Sequence, residues 1–322
     1  MYYLGIDTSC YTTSIALIDQ NNKLIHDCRI VLEIKEGAQG IRQSDAFYQH
    51  IRNMDDIFER IFVDIDTANL VSIGVSSKPR SVVGSYMPVF NAGLWIANIL
   101  GHTFKVPTFT LSHQEGHILS GLWSIKNKIK EDLYAYHLSG GTTELLYVKL
   151  DKEIIIEEFG GSSDLKVGQF IDRVGVSMGL KFPCGREMDM LSLVPEGITF
   201  DIPISVKDTY ISFSGPETFV QRMLGKKTYD AGLIAKSVFK CIAKSIEKTI
   251  INIKEEKRCK DLLFIGGVAS NTIIREYLGN SEPIKEKGFN LYFADKEFST
   301  DNALGPAIFA KNSILLGKPG MY

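Results

Sequence analysis

Short apolar runs separated by hydroxyl-, asparagine- and glycine-rich turns open the chain. Residues 2–7 read as a strand, Thr8-Ser9-Cys10-Tyr11-Thr12-Thr13 as a turn, and 14–19 as a second strand. After the turn Gln20-Asn21-Asn22, residues 23–32 complete an antiparallel meander. Gly37 and Gly40 mark a loop, and 43–62 then carries Phe47, Ile51, Met54, Ile57, Phe58 and Ile61 at the spacing of one helical face. Residues 70–76 read as a strand, 81–102 as mainly helix and 106–111 as a strand, and Ser112 opens another helix. The order is βββαβα followed by βα.

The second half repeats that order. Strands are expected at 133–138, 144–150 and 153–159, with the turn Ser139-Gly140-Gly141-Thr142-Thr143 after the first. A helix follows at 166–180, then a Gly/Pro-rich irregular stretch with short strands from 181 to about 225, and a long amphipathic helix at 230–256. An apolar strand at 262–265 runs into Gly266-Gly267 and a helix from about Ser270; a strand at 290–294 and a last helix starting at Asp301 close the chain. Two βββαβαβ units, each with a Ser/Thr/Gly-rich turn after its first strand, are the pattern of duplicated lobes facing one cleft. Such turns offer N–H groups and hydroxyls to a polyphosphate, although ordinary hairpins use the same residues. The architecture is an α/β fold similar to the actin, sugar-kinase and heat-shock-ATPase superfamily, with two ribonuclease-H-like lobes. The expected domains are 1–125 and 126–322, with the helix from about 301 able to pack back on the first.

Composition narrows the class. A length of 322 residues, 44% hydrophobic and 23% charged, suits a soluble protein of two domains. A net charge of −2 leaves no broad basic field, so tight unaided binding to nucleic acid is not expected. Cys10, Cys28, Cys184, Cys241 and Cys259 are odd in number and form no CxxC, which argues for a reducing compartment and against a thiolate zinc site. The first residues lack the basic and apolar regions of a signal peptide. Residues 81–104 carry no Lys, Arg, Asp or Glu, yet Gly84, Pro88, Asn91, Gly93 and Asn98 interrupt them, so a buried helix is expected rather than a membrane span. A cytoplasmic protein follows.

The sharpest chemical signal is Ser112-His113-Gln114-Glu115-Gly116-His117. Ser112 and Glu115 form a capping-box pattern, and histidines four residues apart share one helix face. They lie in the first turns, where the helix dipole favours anions, so a metal on the imidazoles with a phosphate beside it would suit the position. Taken alone, the stretch is better read as a capped helix with two incidental histidines, since two ligands do not complete a metal site.

Motifs in the right order over nearly the whole length resemble the tRNA threonylcarbamoyl transferase family, long labelled O-sialoglycoprotein endopeptidases. They are Leu4-Gly5-Ile6-Asp7-Thr8-Ser9-Cys10, the histidine pair, Leu138-Ser139-Gly140-Gly141, Phe170-Ile171-Asp172, Pro183-Cys184-Gly185, Phe213-Ser214-Gly215, Gly266 to Asn271 and Thr300-Asp301-Asn302-Ala303. The resemblance implies that Asp301 joins His113 and His117 on one divalent metal, iron or zinc; the alternative is that Asp301 only caps the last helix. It implies ATP or an adenylate as ligand, with Ser139, Gly140 and Gly141 at the phosphates, Asp172 at the ribose, Gly185 where the chain approaches closely and Asn271 by the adenine. It also implies transfer of a threonylcarbamoyl group to N6 of adenosine next to the anticodon, with tRNA delivered by partner subunits of a modification complex.

The chain departs from the family pattern at four places: the opening turn, the segment after the strand ending at Ser76, Thr142 where the family has histidine, and the helix from Arg42 to His50. The family's opening turn runs Ser-Cys-Asp-Asp/Glu-Thr; here Tyr11 and Thr12 replace both acids, and a phenol with a pKa near ~10 is no carboxylate base at neutral pH. The family's Gly-Pro-Gly-Leu is here Ser77-Lys78-Pro79-Arg80, which adds two cations able to bind a phosphate or carboxylate, or to lie in a solvated loop. Tyr11, Thr12, Lys78 and Arg80 are therefore the candidate catalytic positions. Two further readings follow: a carbamoyl-type transferase with another acceptor, and a non-catalytic nucleotide-binding or scaffold protein. Proteolysis is not expected, because the helix has no HExxH and Glu115 serves the cap.

Overall fold

The computed structural model describes residues 1–9, 11–34, 40–63, 65–151, 153–193, 200–226, 230–254 and 259–321. Cys10 and Gly37 lie outside the described residues. The chain divides into two compact units, Met1–Lys126 with Thr300–Tyr322, and Asn127–Ser299. The last helix thus belongs with the first unit.

In the first unit, β1 (Tyr2–Asp7), β2 (Thr12–Asp19) and β3 (Leu24–Val31) form the expected meander. Helix α1 (Gln43–Phe62) leads to β4 (Leu70–Lys78), then α2 (Phe90–Phe104), β5 (Thr108–Ser112) and α3 (His113–Ser124). The sheet order is β3-β2-β1-β4-β5, with β4 and β5 added in parallel. The expected helix over 81–102 begins only at Phe90. Gly84 with φ 79° and Pro88 hold residues 81–89 in an irregular segment whose Val82 and Val83 are exposed.

Central strands covered on both faces need apolar residues on both, and β1 is buried from Tyr3 onward. Leu4 and Ile6 belong to a core with Met54, Ile57 and Ile61 of α1 and Ala97 of α2. Gly5 and Asp7, one position out of phase, point to the opposite face. A Cβ on Gly5 would lie 2.0 Å from the carbonyl oxygen of Ala303, just before the terminal helix, so glycine is what lets that helix seat on the sheet.

The second unit begins with β6 (Leu133–Leu138), β7 (Thr143–Leu150) and β8 (Ile154–Ser162), again an antiparallel meander. Helix α4 (Val167–Ser177) follows. The stretch expected to be irregular contains two helices, α5 (Gly185–Ser192) and α6 (Ser214–Gly225), around the hairpin of β9 (Ser205–Lys207) and β10 (Tyr210–Ser212). These helices are short and carry only two buried residues each, so their apolar period is faint. Helix α7 (Ala231–Ile251) buries a wide stripe, and β11 (Asp261–Ile265), α8 (Thr272–Gly279), α9 (Glu282–Glu286) and β12 (Asn290–Phe293) follow. The sheet order is β12-β11-β6-β7-β8-β10-β9.

The terminal helix α10 spans Leu304–Leu315 in the first unit, with Ala303 at its cap position. Asp301 therefore stands in the segment before the helix and does not cap it. Among the described residues no helix is long and apolar enough to cross a membrane.

Candidate metal centre and nucleotide residues

The start of α3 is fixed by a complete capping box. The Ser112 side chain accepts from the Glu115 N–H at 3.2 Å, and a Glu115 carboxylate oxygen accepts from the Ser112 N–H at 2.6 Å. The same oxygen accepts from Ser81 Oγ at 2.5 Å. Glu115 is committed to the cap, as its spacing from Ser112 suggested. The box sets the phase of α3, and the phase turns His113 and His117 toward Asp301.

His113 Nε2 and His117 Nε2 are 3.0 Å apart, and Asp301 Oδ1 lies 3.5 Å from the first and 3.3 Å from the second. The three ligand atoms fall within 4.8 Å of one another. An ion bound at about 2.0–2.1 Å subtends ligand–ligand distances of about 3.0 Å at right angles and about 3.4 Å at the tetrahedral angle. The observed spacings match those edges, and two imidazoles with one carboxylate suit iron or zinc while leaving positions open. The residues present fit such an ion.

His113 has a second partner that the motif did not announce. Its Nδ1 lies 2.9 Å from Asp7 Oδ2, and Asp7 is buried at the end of β1. Asp7 accepts in turn from the Ser9 N–H at 2.8 Å and from the Ser9 hydroxyl. A carboxylate behind a ligating histidine fixes the tautomer, placing the proton on Nδ1 and presenting Nε2 to the ion. Position 7 was visible as part of the opening strand, but its role depends on which face of β1 it takes. The two-residue period from Gly5 settles that face.

The charges agree with this arrangement. Burial works against an imidazolium at His113, but the Asp7 and Asp301 carboxylates outweigh it and raise its pKa to about 10. His117 is pushed down, by burial first and then by the charge on His113. Burial opposes ionisation of Asp301, yet hydrogen bonds to the two histidines hold its carboxyl well below the ordinary range. Asp7 is likewise held low by His113 against the effect of burial. Without an ion, one extra proton on His113 compensates the carboxylates; a divalent cation must displace it.

The departures from the family pattern sit around this cluster unequally. Lys78 ends β4 and pairs in register with Ser112, immediately before His113. The Pro79 carbonyl accepts from the Gln114 N–H at 3.1 Å. The two-cation segment therefore runs against the first turn of α3, with Arg80 exposed. Tyr11 is half-exposed, and its hydroxyl lies 3.5 Å from where a Cβ on Gly40 would be. Thr12 opposes Val31 in the β2–β3 pair.

In the second unit the expected nucleotide residues are linked by contacts. The Ser139 N–H donates to the Thr142 carbonyl at 2.9 Å, closing the turn that carries Gly140 and Gly141. Thr143 Oγ1 accepts from the Val167 N–H at 2.7 Å, and a Cβ on Gly168 would lie 2.3 Å from Gly140 Cα. The turn thus rests on the N-terminus of α4, where N–H groups and the dipole favour an anion. On α4, Asp172 Oδ1 accepts from the Cys184 N–H at 2.7 Å, beside Gly185 at the start of α5. Asn271 caps α8 through the Ile274 N–H at 3.0 Å and donates to Asp189 Oδ1 at 2.5 Å. Both ends of its amide are thus engaged. Asp189 escaped the sequence reading, because nothing in a single sequence separates it from a solvated acid on a short helix.

The family model for TsaD, tRNA N6-adenosine threonylcarbamoyltransferase, matches residues 29–307. The chain belongs to this family. The similar proteins include the tRNA N6-adenosine threonylcarbamoyltransferases of Thermodesulfovibrio yellowstonii and Thermosipho africanus, each 28% identical. The first alignment covers 99% of this chain and 96% of the relative, the second 100% and 96%. TsaD relatives are named as transferases, so the family assignment makes this chain an acyltransferase-type enzyme by descent. Among solved structures, component A of the Acidaminococcus fermentans (R)-2-hydroxyglutaryl-CoA dehydratase superposes with a TM-score of 0.56 at 14% identity, over 99% of this chain and 100% of that one. A ROK family glucokinase from Streptomyces griseus gives 0.55 at 9% identity, over 97% and 99%. These likenesses concern the fold and place it with the actin, sugar-kinase and heat-shock-ATPase architecture.

Proposed function

We propose that this TsaD-family protein transfers a threonylcarbamoyl group from its adenylate to N6 of adenosine in tRNA next to the anticodon. The observation that carries the reading is the convergence of His113 Nε2, His117 Nε2 and Asp301 Oδ1, with Asp7 behind His113. These residues would hold one iron or zinc ion, whose contribution would be to polarise and anchor a phosphate oxygen. Asp7 keeps the His113 proton on Nδ1, so Nε2 remains a ligand. Ser139, Gly140 and Gly141 supply donors to phosphate oxygens at the N-terminus of α4. Asp172 and Asp189 are acceptors for ribose hydroxyls; burial raises the pKa of both, which favours pairing with a hydroxyl over exposure as free anions. Asn271 works through Asp189 and the α8 cap. With a net charge of −2, tRNA is presented by partner proteins of a modification complex, in the cytoplasm.

The test supplies purified protein, threonylcarbamoyl-adenylate, tRNA and the partner proteins encoded by the same genome, and measures the modified nucleoside by mass spectrometry. Its formation supports the reading; its absence with metal bound overturns it.

A second reading has its own observation. Lys78 and Arg80 stand on the segment packed against the start of α3, and Tyr11 and Thr12 stand where the family carries acids. An enzyme so altered is suited to a carbamoyl-type donor with a different, anionic acceptor. Rescue of a strain lacking the tRNA enzyme would exclude it. A non-catalytic scaffold would bind neither metal nor ATP, which metal analysis and ATP titration of the wild type and Asp301→Ala would reveal.

A further inference from the structure

Helix α3 presents more than the two histidines on one face. Ser120 stands at i+7 from His113 and i+3 from His117, so the three side chains lie along one stripe. Ser120 is fully buried, and its hydroxyl donates to Asn302 Oδ1 at 2.7 Å. Asn302 is also buried, and it neighbours Asp301. Its Oδ1 accepts a second hydrogen bond from the Leu304 N–H at 3.1 Å, and its Nδ2 donates to the Thr300 carbonyl at 2.8 Å. The Asn302 amide thus closes the turn from Thr300 to Leu304, and Ser120 ties that turn to the helix that carries the histidines.

We infer that Ser120 and Asn302 are positioning residues for the metal centre: their hydrogen bond sets the third ligand, Asp301, against the first two. The inference rests on the metal reading above. Its logic is geometric. Asp301 lies in a non-helical segment, its side chain is one quarter exposed, and its Oδ1 stands 3.3 Å from His117. The rigid elements on either side are α3 and α10, and the Ser120–Asn302 bond joins the first of them to the turn that starts the second. Because Ser120 and the histidines share one helix, a shift of α3 carries both imidazoles and the anchor together, and Asp301 follows through the turn that Asn302 holds. Outer-shell partners of this kind typically change metal affinity by about 10–100-fold when lost.

The experiment compares the wild type, Ser120→Ala, Asn302→Ala and the double variant. Zinc affinity is measured by competition with a chromophoric chelator, the visible spectrum is recorded with cobalt(II) in place of zinc, and the metal-free proteins are melted thermally. Ser120→Ala removes one oxygen atom and leaves the cap bond from the Leu304 N–H to Asn302 intact, so it is the variant expected to fold without difficulty. The expected result is zinc affinity weakened by about 10–100-fold in each single variant, an altered cobalt spectrum, and a double variant no weaker than the worse single one, because a shared interaction does not add. Ser120→Ala with wild-type zinc affinity and cobalt spectrum would overturn the inference, as would fully additive losses. A wild type that takes up neither ion would instead overturn the metal reading itself, and that control is read without any variant.

Discussion

Two pairs of aspartates, one in each unit, are prepared in opposite ways. Asp7 and Asp301 are held low by the histidines beside them, and they raise His113 to about 10 in return. Asp172 and Asp189 are raised by burial; the Cys184 N–H steadies the first, and the charge of Lys296 and then the Asn271 amide steady the second without reversing the shift. In the first pair close histidines outweigh burial; in the second burial prevails. The same side chain is thus shifted in opposite directions in the two units, and the difference lies in whether a histidine faces it closely.

The comparison can be broken most forcefully at the cation side. Asp301→Ala should lower zinc affinity by more than the about 10–100-fold that an outer-shell loss costs, measured by chelator competition, while ATP affinity measured without added metal changes little. A loss of metal-free ATP affinity equal to the loss of zinc affinity would mean that the two pairs are not chemically distinct.

The seat of Asp301 is the next target. A Cβ on Gly305 would stand 2.1 Å from the Gly116 carbonyl oxygen on α3, with no flexible side chain to yield. Gly305→Ala should cost about 3 kcal/mol or more, read from urea unfolding, and should weaken metal binding through α10. A neutral effect would show that the approach of α10 to α3 is not tight.

Acid gives a third probe of the first unit. His50 of α1 is fully buried, with Nδ1 2.9 Å from Thr13 Oγ1, and burial pulls its pKa down to about 4 despite the opposing pull of Asp7 and Asp301. Between about pH 6.5 and 4 the unfolded chain binds this proton and the folded chain does not. Stability should therefore fall as pH drops through that window, by up to about 3 kcal/mol from this group, and His50→Gln should show a shallower decline. Parallel curves for the two proteins would contradict the assignment.

The smallest expected effect belongs to the second pair. Asp172→Asn keeps an oxygen that can accept from the Cys184 N–H but weakens any hydroxyl contact, so nucleotide affinity should fall about tenfold, the scale of a hydrogen bond to a charged group. Zinc affinity should stay unchanged.

Much of this was legible in the chain itself. The duplicated meanders, the capping box and the HxxxH spacing are local patterns, and local patterns survive in a single sequence. Asp7, Asp189 and Ser120 were not legible as site residues, because each acts through a contact between elements far apart in sequence. The irregular run at 81–89 was missed because apolar content without charge mimics a helix, although the exposed Val82 and Val83 show that the period was absent. Asp301 as a helix start was a misplacement of three residues: the helix begins at Leu304 after the cap position Ala303, and the turn before it is held by Asn302.

X-ray absorption at the metal edge of the zinc- or iron-loaded protein tests the central claim most directly. The account predicts one ion per chain with two imidazole nitrogens and oxygen neighbours at about 2.0–2.2 Å, and loss of that signal in Asp301→Ala. An ion coordinated by sulfur, or a chain that retains none after loading, would contradict it.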